Sequence, residues 1–362
     1  MSKILMTGNE AIAEAAILAG CECYFGYPIT PQNELIAHMA KRLPQEGKVF
    51  LQAESEIAAI NMVFGAACTG ARAMTSSSSP GISLKQECLS YMAGCELPGV
   101  IVNVSRGGPG LGNIAPSQSD YFQATKGGGH GDYHLIVLAP DSIQSAVDLT
   151  QKAFDLADKY RNPTMILTDG LLGQMIEPVE LKPIKKVNLP PKTWTLTGAK
   201  NRPPNTIKSL YIDPKNLEAH NWKLHQKYQE MQKEVDYETY EIEDAQIIVV
   251  AFGVVARICK EAINRVRKQG IKAGLIRPIT LYPFPTQVIQ QTTPESFLVV
   301  ELNLGQMVED VKLAVEGKIP VHFYGKPGGV FITPKEVYLQ LLEIFNRSGG
   351  NLPQRRRGTE KT

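Results

Sequence analysis

The chain has 362 residues, and at about 150 residues per domain this length predicts two domains with a sizeable insert between them. Hydrophobic residues make up 43% and charged residues 20%, a globular composition that excludes fibrous and disordered classes. With 38 Lys plus Arg against 36 Asp plus Glu the formal charge is +2, which supplies no field to draw the chain onto nucleic acid or anionic lipid, so neither partner is expected.

From Met1 to about Glu180, short β-rich runs alternate with helical patterns, the signature of crossover units and a parallel α/β sheet. Helices are predicted at 10–19, 32–43, 56–69, 83–93 and 143–160, the last opened by Asp141 and Gln144 as a capping box. Strands are predicted at 23–27, 49–52, 73–75, 100–104, 135–138 and 164–167, mostly β-branched and apolar as doubly covered strands are. Residues 183–243 break this rhythm with prolines at 183, 190, 191, 203, 204 and 214, followed by a polar helix at 216–234. So long a connector is expected to pack across a neighbouring domain or subunit. A smaller α/β unit follows at 244–346, with strands at 247–252, 273–276, 297–301 and 321–324 and helices at 256–268 and 306–315. The end, 347–362, carries Arg355, Arg356 and Arg357 and reads as a flexible basic tail.

The longest apolar run, 247–256, is interrupted by Gly253 and is far shorter than the ~20 residues that span a bilayer. After Lys3, Ile4 to Met6 give way at once to Thr7, Gly8 and Asn9, without the apolar core of a secretory signal, so a cytoplasmic protein is expected. Cys21, Cys23, Cys68, Cys88, Cys95 and Cys259 form no CxxC pair and no zinc or iron–sulfur spacing, and read as buried reduced thiols.

Several strand ends carry chemistry. Tyr27-Pro28-Ile29-Thr30-Pro31 ends the first predicted strand, where open parallel sheets bind their ligands; it reads equally as a helix start with Thr30 as N-cap and Pro31 as first helical residue. Glu54 and Glu56 stand at a helix entry, where carboxylates favour the positive helix end or face a ring nitrogen at the mouth of the sheet. Ser76 to Ser79 with Pro80 and Gly81 repeat the strand–turn–helix pattern and offer hydroxyls and free N–H groups. Gly108, Gly110 and Gly112 give GxGxG with Asn113 where a third glycine belongs, so the dinucleotide fingerprint fails, and no GxxxxGK[ST] loop occurs. His130 and His134 flank a glycine loop without a fixed helical face between them, which favours a ligand-pocket lining over a metal site.

These residues together resemble a known family. Gly8-Asn9-Glu10, Gly26 to Pro31, Glu54-Ser55-Glu56, Thr75 to Gly81 followed by Leu84 and Glu87, Arg106 with its glycines, Gln118 with Asp120, and Gly129 to Tyr133 resemble the α subunit of 2-oxoacid:ferredoxin oxidoreductases. The resemblance is strong over about residues 5–180 and looser over 245–345, and Gln52-Ala53-Glu54, Gly108 to Asn113 and Leu172 to Met175 lean to the 2-oxoisovalerate (branched-chain) enzymes, with the 2-oxoglutarate enzymes next.

What the resemblance implies is a pyrimidine-binding thiamine diphosphate domain at 1–182, the connector at 183–243, and a transketolase C-terminal-like α/β domain at 244–346. By the same resemblance Glu56, nine residues before Gly65, faces the cofactor's pyrimidine nitrogen and is the catalytic residue, ahead of Glu54. Tyr27, Pro28, Ile29, Ser78, Ser79, Pro80 and Gly81 would line the cofactor, and Thr30 and Arg106 would grip the substrate carboxylate. Ser79 stands where relatives commonly have Gly, which puts the shape of that turn in question. The sequence contains no Gly-Asp-Gly motif, so Mg²⁺ and the diphosphate site are expected on a β subunit, with iron–sulfur clusters on γ and ferredoxin-like subunits. The implied reaction converts a 2-oxoacid and coenzyme A to acyl-CoA and CO₂ while reducing ferredoxin. Two alternatives stand beside it: a transketolase-type 2-oxoacid dehydrogenase β subunit, and a non-enzymatic binding or assembly protein that keeps the fold.

Overall fold

A computed structural model describes residues 3–185 and 187–349, so the expected basic tail lies outside the described residues from position 350 onward. In the first unit β1 (Ile4–Thr7) leads into α1 (Gly8–Leu18), where Thr7 and Glu10 form a reciprocal capping box. Then follow β2 (Cys23–Gly26), α2 (Asn33–Gln45), β3 (Val49–Gln52), α3 (Glu56–Cys68), β4 (Ala73–Ser77), α4 (Ser79–Gly94) and β5 (Gly99–Ser105). The short α5 (Tyr121–Thr125) precedes β6 (Ile136–Leu138), α6 (Ile143–Tyr160), β7 (Pro163–Asp169), α7 (Gly170–Gln174) and β8 (Ile176–Val179). β8 runs antiparallel to β1 as a separate two-stranded sheet.

After the connector, α8 (Pro214–Met231) leads to β9 (Tyr237–Tyr240), β10 (Ile247–Val250), α9 (Gly253–Arg267), β11 (Ala273–Pro278) and β12 (Thr280–Tyr282). The chain closes with α10 (Thr286–Gln291), β13 (Ser296–Glu301), α11 (Met307–Val315), β14 (Val321–Gly325) and α12 (Pro334–Arg347). The first large sheet has the order β12-β6-β7-β5-β4-β2-β3, parallel except for β12, and the second the order β14-β13-β10-β11-β9, parallel except for β9. β4, β5 and β7 are buried along their whole length, which is why they read as unbroken apolar or small-residue runs. The architecture is the expected α/β class: a parallel-sheet domain followed by a smaller α/β unit.

The connector packs along the amino ends of the first sheet. Lys192 pairs with Asp158 at 2.8 Å and donates to the Gly70 carbonyl, while Arg161 lies over the Trp194 ring at 4.7 Å. α8 buries Leu224, Tyr228 and Met231 against the same end.

The two sheets are joined through the loop 115–121. Gln118 donates through Nε2 to the Phe252 carbonyl at 3.0 Å and accepts from the Leu302 amide through Oε1 at 3.0 Å. Its own main chain exchanges two further bonds, its amide donating to the Leu302 carbonyl and its carbonyl accepting from Asn303 Nδ2. Tyr121 Oη donates to Asp310 at 2.6 Å on the same face.

Several expectations need correction. The α6 cap is Ser142, whose hydroxyl accepts from the Ser145 amide; Asp141 is drawn instead to Arg277 at 3.2 Å, and the Gln144 carboxamide accepts from the Glu180 amide. α4 starts at Ser79, not at 83, because Ser78 holds extended backbone and Pro80 fits the first turn, where its missing N–H costs nothing. α2 starts at Asn33, so Thr30 does not cap it and Pro31, which follows a cis peptide bond, is not its first residue. The small edge strands β1, β8, β9 and β12 and the helices α5, α7, α10 and α12 were not predicted.

Gln118→Ala removes two buried bonds across the joint and leaves the Phe252 carbonyl and the Leu302 amide unpaired. We expect a stability loss of about 2–4 kcal/mol, measured by thermal or denaturant unfolding of the chain.

Candidate active site

The carboxyl ends of β2, β4, β5 and β7 meet around the first turn of α4. Glu56, the first residue of α3, is buried at 7% exposure, and Ser55 before it caps the helix by accepting from the Ala58 amide at 3.1 Å. Glu54, two residues earlier, is exposed. The Glu56 carboxylate packs directly on Gly81: a Cβ at position 81 would lie 2.7 Å from Glu56 Oε1 and 2.1 Å from Ser77 Oγ. Any Cβ at position 81 would displace the Ser77 hydroxyl and the Glu56 carboxylate from these positions. Among the described residues nothing hydrogen-bonds the Glu56 side chain, and the buried hydroxyls of Thr75, Ser77 and Ser78 have no partner either. A buried carboxylate and several buried hydroxyls at one strand end, all without internal partners, fit a bound polar ring such as the aminopyrimidine of thiamine diphosphate.

A second group adjoins the first through Ser79. Its hydroxyl accepts from the Arg106 amide at 2.9 Å and donates to Asp120 Oδ2 at 2.6 Å, and Asp120 also accepts from Asn103 Nδ2 at 2.8 Å. The Ser79 backbone is not in the left-handed region, so serine occupies this turn without strain and supplies a tie that glycine lacks. Arg106, 7% exposed, reaches back with Nη1 to the Thr30 carbonyl at 2.9 Å and with Nη2 to the Leu111 carbonyl at 3.1 Å. Its Nε–H is buried and unpartnered. Thr30 and Arg106 are thus brought together, with the loop 107–115 folded over the guanidinium.

The turn 27–31 that carries Thr30 is fixed from three sides. Gln32 Nε2 donates to the Tyr27 carbonyl at 3.3 Å while Gln32 Oε1 accepts from Ser76 Oγ at 2.5 Å. Asn9 Nδ2 donates to the Pro31 carbonyl at 2.9 Å, and Gly170 at the start of α7 abuts the Pro31 ring. Tyr27 and Pro28 themselves are exposed, Ile29 is half-buried, and Pro80 stands in the first turn of α4.

His130 and His134 stand apart from this group. His134 lies at the amino end of β6, stacked on Tyr282 with 4.4 Å between ring centroids and edge-on to Tyr228, and burial pushes its pKa down. Among the described residues no cluster of three or more His, Cys, Asp or Glu side chains could hold a metal ion, and no helix is long and apolar enough to cross a membrane. Sequence reasoning missed Lys85, Gln32 and Asn103. Lys85 had a signal: it interrupts the apolar stripe of Ile82, Leu89 and Met92 on α4, and it is fully buried.

Comparison with known proteins now places the chain. Residues 14–244 match the family model for pyruvate flavodoxin/ferredoxin oxidoreductase, thiamine diphosphate-binding, and residues 245–337 match pyruvate:ferredoxin oxidoreductase core domain II. The chain is 48% identical over 351 residues to ketoisovalerate oxidoreductase subunit VorB of Methanothermobacter marburgensis, covering 96% of this chain and 99% of that one. It is 37% identical to 2-oxoglutarate synthase subunit KorA of Methanothermobacter thermautotrophicus, covering 93% and 97%. Among solved structures, the 2-oxoglutarate:ferredoxin oxidoreductase of Magnetococcus marinus with 2-oxoglutarate, coenzyme A and succinyl-CoA bound aligns with a TM-score of 0.83 at 28% identity. That alignment covers 94% of this chain and 65% of the other, so the chain spans about two-thirds of that longer protein. A split-gene transketolase shares the fold alone, with a TM-score of 0.58 at 12% identity. The chain belongs to the 2-oxoacid:ferredoxin oxidoreductases, as a subunit that carries a thiamine diphosphate-binding domain.

Beneath the site, Asp169 ends β7 and caps α7, its Oδ1 accepting from the Leu171 and Leu172 amides, and burial pushes its pKa up to about 6. A carboxyl raised in the folded state contributes stability that is present below about pH 4 and lost as pH rises through about 6. Asp169→Asn keeps the accepting oxygen, so the variant's melting temperature relative to wild type should rise across that window and be flat on either side.

Proposed function

We propose that this chain is the α subunit of a branched-chain 2-oxoacid:ferredoxin oxidoreductase, converting 2-oxoisovalerate and coenzyme A to the acyl-CoA and CO₂ with reduction of ferredoxin. The observation that carries the reading is Glu56, a buried residue whose carboxylate packs on Gly81 and accepts no hydrogen bond among the described residues, beside the buried, unpartnered hydroxyls of Ser77 and Ser78. The branched-chain preference is supported by 48% identity to a ketoisovalerate oxidoreductase subunit against 37% to a 2-oxoglutarate synthase subunit. In this reading 1–182 is the pyrimidine-binding unit and 244–346 the second domain. Mg²⁺, the diphosphate site and the iron–sulfur clusters reside on β, γ and ferredoxin-like subunits, and the complex works in the cytoplasm.

Each residue then has a task. Glu56 would face the ring nitrogen of a bound aminopyrimidine and would hold a proton at Oε toward it. Ser77 and Ser78 would satisfy polar edges of the same ring, with the turn 27–29 lining it. Bound thiamine diphosphate supplies a nucleophilic carbon and an electron sink for the pair left when CO₂ departs. Arg106 has donors to spare beyond Thr30 and Leu111, including its buried Nε–H, and directs them with the Thr30 hydroxyl at the substrate carboxylate. The loop 107–115 keeps water from that ion pair.

Co-expression with a β subunit and iron–sulfur subunits, followed by coenzyme A-dependent viologen reduction, tests the reading. Turnover should be fastest with 2-oxoisovalerate; preference for 2-oxoglutarate would overturn the substrate assignment, and no activity with either would overturn the reading itself. Arg106→Lys keeps the charge but loses the planar fork, a loss of ~1.5–3 kcal/mol that should raise KM for the 2-oxoacid about ten- to a hundredfold with thiamine diphosphate affinity unchanged. Glu56→Ala should lower kcat by about a hundredfold or more.

A further inference from the structure

We infer that Lys85 is a positioning residue for the catalytic carboxylate: its buried ammonium, anchored on the Glu56 main-chain carbonyl, holds the start of α3 and keeps a positive charge on the side of the site that Glu56 occupies. The inference rests on the proposed role of Glu56 and extends it to a side chain on a different helix.

The geometry is specific. Lys85 lies one and a half turns into α4, on the face that packs against α3, and is fully buried. Nζ donates to the Glu56 main-chain carbonyl at 3.1 Å, and among the described residues this is its one hydrogen bond, although an ammonium carries three donors. Among the described residues no ion pair within contact distance neutralises it. Two titratable groups act on it: Glu56 from α3 and Cys88 from its own helix. Burial pushes the Cys88 thiol up to about 12, so that group is neutral at physiological pH and Glu56 is left as the acidic side chain that acts on the ammonium. Glu87 faces outward and accepts from Tyr91 Oη at 2.6 Å.

A lysine so placed is costly to the fold, because burial disfavours the ammonium and brings its pKa down to about 8. Methionine would fill the same space on the stripe of Ile82, Leu89 and Met92 without that cost. What the ammonium supplies in return is a charge-assisted bond to the main chain of Glu56, whose own side chain accepts no hydrogen bond among the described residues. With the charge present, the first residue of α3 is held by an ammonium-to-carbonyl bond and the site carries a cation next to it. When the ammonium loses its proton, that advantage goes with it.

Two measurements test this, the first without cofactor or turnover. In the cofactor-free complex, melting temperatures of wild type, Lys85→Met, Glu56→Gln and the double variant are compared across pH. Lys85→Met should melt higher than wild type, by a margin that is largest below about pH 8 and shrinks as pH approaches 10.5, where an unfolded lysine also loses its proton. Glu56→Gln should destabilise the wild-type background, because it strands the ammonium, and should have little effect beside Lys85→Met. Additive effects of the two substitutions would overturn the inference.

In the loaded complex, wild-type kcat should fall as pH is raised through about 8, and Lys85→Met should run about tenfold slower than wild type at neutral pH without that fall. Lys85→Arg, which keeps its proton, should hold its rate through the same range. If arginine does not fit and the protein fails to fold, Lys85→Met alone decides, and a Lys85→Met profile parallel to wild type would overturn the inference. Full turnover by Glu56→Gln would instead sink the assignment of Glu56 on which it rests.

Discussion

The close approach of α4 to Glu56 is the constraint around which the site is arranged. A side chain of any size at position 81 would strike Ser77 Oγ and Glu56 Oε1, so the absence of a Cβ there lets the helix start directly on the carboxylate. That contact fixes where Ser78 and Ser79 stand, and Ser79 carries the constraint onward by joining the Arg106 main chain to Asp120. In the proposed function, the group that would face the pyrimidine and the group that would grip the carboxylate are therefore two ends of one helix turn. Their spacing is set by backbone geometry instead of by flexible side chains, which is what a reaction between two bound partners demands.

How much of this was legible in the sequence depended on how local the determinant was. The helix at 143–160 was predicted with both ends in place because its apolar period is strong, yet its cap was misassigned. Asp141 and Ser142 are both good caps, and the choice was made by Arg277, more than a hundred residues away, which draws Asp141 into an ion pair. β9 and β12 carry little signal of their own and exist because β11 and β6 offer them an edge to pair with. The start of α4 was hidden by its composition: four serines followed by Pro-Gly read as a loop, whereas burial of the serines against the neighbouring strand ends makes them a strand terminus and a helix cap. The site residues Thr30, Glu56 and Arg106 were named from resemblance, because the carbonyl contacts that unite Thr30 with Arg106 leave no trace in residue type. The outward turn of Glu54 against the inward turn of Glu56 follows from Ser55 serving as the N-cap between them.

Lys85 shows the opposite case, in which local rules are broken and the breach is informative. A charged residue on the buried stripe of a helix conflicts with its surroundings, and such conflicts concentrate where function sets the terms. Had the ammonium met a carboxylate in a close ion pair, it would read as an ordinary buried salt bridge. It meets a main-chain carbonyl of Glu56 instead, which leaves the Glu56 side chain free for a ligand while keeping the charge near it.

The second domain acts on the site by supporting its loops. Gln118 holds Phe252 and Leu302 at the joint, Tyr121 holds Asp310, and Asn113 Nδ2 donates to the Gly328 carbonyl at 2.7 Å. Asn113 lies in the loop folded over Arg106, and Gln118 lies two residues before Asp120, the acceptor for Ser79 and Asn103. The loop that covers the guanidinium is thus tied at one end to Arg106 itself, through the Leu111 carbonyl, and at the other to the second domain. A rotation of that domain would pull on the loop over Arg106 and on Asp120 together, while α3 and α4, whose contact lies within the first sheet's own helices, would hold Glu56 in place. In the proposed function, substrate access and cofactor activation would thus fall to different mechanical elements: the first to a loop braced across the joint, the second to a helix pair that does not cross it.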